Sequence, residues 1–172
     1  MKYTSAEASK LVKKLEDRIK RTELAESKSA TFNAASGEDA ESLRPKYSFK
    51  DSQAKLEELQ AQVRKVKHAV NCFNVSHTLP GFKDVTVDQA LVLIPQLRAR
   101  LSVLGEMMAR LPKERVDMSF RNTNIIDYVI TNYDAAEVEK KYNELEEKLS
   151  ALQLALDTLN NSETMEIDVV LD

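Results

Sequence analysis

Turn-forming residues are scarce: the 172-residue chain has three glycines and four prolines. That excludes a fold of many short strands, each needing its own turn, and favours a few long elements, which means helices. The same scarcity of glycine excludes a backbone cradle for phosphate, and no P-loop, G-x-G-x-x-G or G-x-S-x-G occurs. With one cysteine, Cys72, no internal disulfide can form. The thiol reads as a small core residue within a helix, and a reducing cytosol is the simplest compartment. Long apolar runs are missing too. The longest, residues 90–94 (ALVLI), falls far short of the roughly 20 residues that cross a bilayer. Residues 1–20 are charged and periodic with no apolar h-region, so no secretory signal is expected and the protein is placed in the cytoplasm. Nor does one sign of charge dominate. Twenty-five basic and 28 acidic residues leave a net −3, which gives no field to draw nucleic acid or an anionic membrane as a partner.

Catalytic sets are absent as well. The two histidines are His68 and His77. His68 and Cys72 stand four apart, a metal-ligand spacing, but no second pair completes a site and no E-x-x-H occurs, so no metal is expected. The carboxylates of EVEKKYNELEEK interleave with Lys140, Lys141 and Lys148 as a solvated helix face rather than an acid and base pair. Neither an enzyme nor a cofactor is expected.

What is present is helical periodicity. Length and a 42% hydrophobic content fit a single helical domain over 1–172. A first helix is expected at about 5–26, with Ala8, Val12, Leu15 and Ile19 as its stripe and Thr4 with Glu7 as a capping box. Residues 27–46 lose the pattern and read as a mobile loop. The second helix, 48–73, carries Leu56, Leu59, Val63, Val66, Val70 and Phe73 in unbroken steps of three and four, the seam of a coiled coil. Pro80-Gly81 then breaks the chain. The third helix, 86–111, opens on a Thr86/Gln89 box, carries Leu91, Ile94, Leu97, Leu101, Leu104, Met108 and Leu111, and contains Pro95, where a kink is expected. The fourth, 134–159, is capped by Asp134 and has Val138, Tyr142, Leu145, Leu149, Leu152, Leu156 and Leu159 as its seam. Between the last two helices, residues 115–131 alternate apolar and polar around the turn RNTN, a β-ribbon that needs helices or a partner subunit to pack on. The tail TMEIDVVLD is β-prone, and either frays or adds an edge strand. The expected class is therefore all-α: an antiparallel bundle of long helices with coiled-coil character and a small β-hairpin between helices 3 and 4. Seams this extensive exceed what one thin chain covers, so a homo-oligomer is expected.

Four stretches, MKYTSAEASKLVKKLEDRIKR, VNCFNVSHTL, TVDQALVLIPQLRARLSVLGEMM and RNTNIIDYVITNYDAAEVEKKYNELEEKLSALQLALDTLN, resemble a family of bacterial helical proteins sometimes labelled septicolysin. The family's Asn-x-x-Asn helix end is matched by Asn71 and Asn74. Its Leu-Thr-x-Ala-Leu-like helix opening is matched by Val85, Thr86, Ala90 and Leu91, and its Thr-x-x-Asp step into the last helix by Thr131 and Asp134. The chain departs from the pattern at Ile94-Pro95 and at residues 121–125. The label implies a cytolysin, although no segment reads as membrane-inserting.

Polar side chains gather at helix ends and at the ribbon tip: Asn71, Asn74 and His77, Arg98 and Arg100, then Arg121, Asn122 and Asn124. Arginine and asparagine offer fork-shaped donors suited to phosphate or base edges. Each also has an ordinary structural use, as a C-cap, a turn residue or a rim charge. Two functions follow. One is a non-catalytic homo-oligomer that binds, with sequestration as one use, a small polar or nucleotide-like ligand at subunit junctions through Asn71, Asn74, His77, Arg98, Arg121, Asn122 and Asn124. The other is an assembly or adaptor protein that acts only through coiled-coil contacts.

Overall fold

The structure, a computed structural model, describes residues 1–116 and 126–169. Over these residues the chain is all-α, with five helices and two small antiparallel strand pairs. It divides into two compact units, 1–77 with 158–172 and 78–157.

The first unit begins with β1 (Lys2–Thr4) and α1 (Ser5–Ser29). The Thr4/Glu7 capping box forms as expected: the Thr4 hydroxyl accepts from the Glu7 amide at 3.3 Å, and the Glu7 carboxylate accepts from the Thr4 amide at 2.9 Å. Ala8, Leu11 and Leu15 are buried, while Val12 and Ile19 of the expected stripe lie half-buried on its flank. The expected loop contains a short helix, α2 (Ala40–Leu43), started by the Asp39 side chain. Next comes α3 (Phe49–Ser76), capped by Ser48, with Leu56, Leu59, Val66 and Phe73 buried and Val63 and Val70 half-buried. Glu16 of α1 pairs with Lys67 of α3 at 2.9 Å, and Glu26 meets Gln53 at 3.0 Å, so the two helices run antiparallel. Both members of the Glu16–Lys67 pair are about half-exposed, and such pairs add little stability. The apolar residues between the helices hold them together.

The tail adds a strand. β4 (Thr164–Glu166) pairs antiparallel with β1, and the Met1 carbonyl accepts from the Ile167 amide at 2.9 Å. Met165, Ile167 and Val169 are buried and the residues between them exposed, a period of two that puts one face of the segment into the core of the unit.

The second unit opens on a tight reversal. Phe82 N–H donates to the Leu79 carbonyl at 3.0 Å, with Pro80 and Gly81 between them and Gly81 at φ 81°. This is a type II turn, with proline first and glycine at the left-handed position. Helix α4 (Val87–Met108) starts from the Thr86/Gln89 capping box and continues through Pro95. Its buried stripe is Val87, Ala90, Ile94, Leu97 and Leu104, whereas Leu91, Met108 and Leu111 are exposed, unlike the expectation. The stripe began one turn earlier than expected, at Val87. Leu91 and Pro95 share the solvent side, so the Leu91 carbonyl that Pro95 cannot serve sits where water reaches.

β2 (Lys113–Arg115) and β3 (Tyr128–Ile130) pair antiparallel, Lys113 opposite Ile130 and Arg115 opposite Tyr128, so the ribbon begins two residues before the expected 115–131 and most of the expected first strand, 116–120, lies outside the described residues. The expected tip lies outside the described residues. Helix α5 (Ala135–Ser162) follows, its second amide donor, on Ala136, bound by the Asp134 carboxylate at 2.8 Å. It crosses from the second unit to the first after Asp157. Val138, Leu152, Ala155 and Leu159 are buried, while Tyr142, Leu145 and Leu149 are half-buried. The Tyr142 ring stands 3.8 Å from where a Cβ on Gly105 would lie, so α4 and α5 touch at a residue with no side chain. No polar or charged side chain is buried among the described residues.

Candidate anion-binding cleft

The residues singled out from sequence are distributed over both units. Asn71 is exposed and Asn74 half-buried, one turn apart on α3. His77 follows as the C-cap of that helix. Its amide donates to the Phe73 carbonyl at 3.0 Å, and its Nδ1 lies 2.9 Å from the same oxygen. Nδ1 also lies 3.0 Å from Ser76 Oγ, so that edge of the ring is engaged and Nε2 is the nitrogen left for any other contact. The ring also stacks on Phe73, with centroids 3.9 Å apart. His77 is thus engaged in ending α3, and only its far edge is available to a ligand. Arg98 is exposed on α4 in the other unit, and Arg121, Asn122 and Asn124 lie outside the described residues. Asn71, Asn74 and His77 come together through the helix that carries them.

Cys72 corrects an expectation: it is exposed, with its sulfur 3.6 Å from His68 Nε2. It falls off the seam that Val70 and Phe73 continue, so helix geometry turns it to solvent. Among the described residues no group of three metal-ligating side chains occurs, and no helix is long and apolar enough to cross a membrane.

Sequence reasoning missed a cleft of about 670 Å³ in the first unit, where the end of α1 meets the start of α3. Arg21 comes from α1, Lys46 from the connection and Lys55 from α3, and the hydroxyls of Thr22, Ser29 and Ser52 line the space between them. Glu26 on its wall is already held, since its Oε1 accepts from the Tyr47 hydroxyl at 2.8 Å and from Gln53 Nε2 at 3.0 Å. Partial burial, then the bond to the Glu26 carboxylate, holds the Tyr47 hydroxyl above the ordinary tyrosine range, so it stays a neutral donor. A second hollow of about 450 Å³ shares Arg21, Thr22 and Lys55 and adds Arg18, Glu58 and Gln62. The Oε1 atom of Gln62 is buried there without a hydrogen-bond donor. The adjoining hollows are thus lined by Arg18, Arg21, Lys46 and Lys55, by the carboxylates of Glu26, Asp51 and Glu58, and by a row of hydroxyls. Arg18 and Arg21 share a face by their spacing, which the sequence does show. That Lys46 and Lys55 lie opposite them depends on the register of α1 against α3, which no local pattern encodes.

No family model matches the chain, and no curated protein matches it. A solved structure does: the crystal structure of a functionally unknown conserved protein from Corynebacterium diphtheriae aligns with a TM-score of 0.59 at 16% identity, over 96% of this chain and 100% of that one. A likeness at that identity is one of fold. It does not bear on the septicolysin resemblance.

Proposed function

We propose that this protein is a non-catalytic homo-oligomer that binds a small anionic, nucleotide-like ligand in the cleft between α1 and α3. The observation that carries the reading is the meeting of Arg21, Lys46 and Lys55, from three separate segments, around a space of about 670 Å³. Small-molecule sites run from roughly 300 to 1,000 Å³, so a nucleotide fits. Guanidinium and ammonium groups suit phosphate oxygens.

Titration calorimetry against a panel of nucleoside phosphates tests this. The expected result is binding in the roughly micromolar range for at least one member, weakening with added salt and falling at least about tenfold in the double variant Arg21→Glu, Lys55→Glu. No heat with any member, from protein whose oligomer is intact, overturns it.

A further inference from the structure

The ribbon carries a second surface, unlike the cleft in chemistry and in place. Val116 N–H donates to the Asp127 carbonyl at 2.9 Å, and Thr131 N–H donates to the Pro112 carbonyl at 3.1 Å. Bonded pairs in an antiparallel ladder recur at every second residue, so Glu114 and Val129 also turn their backbone groups toward each other. The N–H and C=O groups of Tyr128 and Ile130 then point away from β2, along an edge that pairs with no other strand among the described residues.

The two edges differ. β2 presents Lys113, Glu114 and Arg115, and charged side chains of this kind keep an edge from pairing with other chains. β3 presents Tyr, Val and Ile with no charge, and all three are about half-exposed or more. Met108, Leu111 and Ile126, close to the ribbon in sequence, are also between 41% and 62% exposed. A two-stranded ribbon is marginal by itself in water, so it gains most from added strands.

We propose that β3 docks on the β3 strand of a second copy, antiparallel about a two-fold axis at Val129. The inference rests on the homo-oligomer part of the function proposed above and names the surface that makes it. The pattern fits a copy of itself in three ways. Centring the pair on Val129 sets the outward groups of Tyr128 against those of Ile130, which gives four backbone hydrogen bonds with none left over. Tyr128 then lies across from Ile130 on one face, an aromatic and β-branched pair. Asp127 falls opposite Thr131, so the two aspartates never face each other.

Crosslinking and sedimentation test the arrangement. In a non-bonded antiparallel pair the Cα atoms stand about 4.5 Å apart, within the roughly 4.4–6.8 Å that a disulfide spans. With Cys72 replaced by serine, Val129→Cys is expected to give a disulfide-linked dimer on mild oxidation, and Val92→Cys, equally exposed on α4, is not. Ile130→Pro removes an outward N–H and leaves the inner ladder intact, a position where edge strands tolerate proline. It is expected to shift sedimentation to a smaller species, while Arg115→Pro, the same change on the opposite edge, leaves it unmoved. An oligomer that survives Ile130→Pro and does not crosslink at Val129 overturns this surface but leaves the oligomer. Crosslinking at Val129 that persists with Ile130→Pro reflects collision, and also overturns it. A wild-type chain that sediments as a monomer at micromolar concentration overturns both.

Discussion

Gly81 shows how much one residue carries. Its φ of 81° lies in the left-handed region, and no heavy atom stands within 4 Å of where a Cβ would be. A side chain there meets open space, so any cost of substitution comes from the backbone alone. Gly81→Ala is expected to destabilise by about 1–2 kcal/mol, and Gly81→Asn by less, since asparagine adopts that conformation more readily. Urea midpoints at unchanged slope measure the difference. The Pro-Gly dipeptide announced this turn in the sequence, because the conformation each residue needs is written in its own chemistry. Cys72 was legible in a different way. The general tendency of free cysteine to be buried suggested a core position, yet the seam through Val70 and Phe73 excluded it by helical phase, and phase prevailed. Lys55 was not legible, because its importance rests on which part of α1 it meets.

Among the elements, the four long helices were readable to within a few residues, three of them from the caps Thr4, Thr86 and Asp134, whose side chains satisfy an amide, whereas the four-residue α2 fell inside the expected loop. Their ends were less clear. α1 runs on to Ser29 and α5 to Ser162, while α4 stops at Met108, since nothing in these sequences ends a helix as sharply as a cap begins one. Pro95 is the exception within α4, an exposed interior position where proline removes a hydrogen bond. Alanine would restore the donor to the Leu91 carbonyl, offset in part by a more flexible unfolded chain. Pro95→Ala is therefore expected to raise stability by about 1–2 kcal/mol, read as a higher thermal midpoint. The seams of α3 and α5 predicted which residues turn inward, but not that Val63, Val70, Leu145 and Leu149 would remain only half-covered. That depends on what faces each helix, which a periodic pattern leaves open.

At the scale of the whole molecule, the first unit is built from two stretches far apart in sequence, 1–77 and 158–172. The tail joins them through β4 and the buried side chains of Met165, Ile167 and Val169. Ile167 is 2% exposed. Ile167→Ala is expected to cost about 2–4 kcal/mol. In hydrogen exchange the loss should fall on amides of α1 and α3, with those of α4 keeping their protection, and equal loss throughout would show that the two units do not open separately. The pairing of β1 with β4 also bears on synthesis. As the chain leaves the ribosome, residues 78–157 emerge as one uninterrupted stretch, whereas the sheet that β1 enters cannot close until residues 164–166 have been made, about 160 residues later.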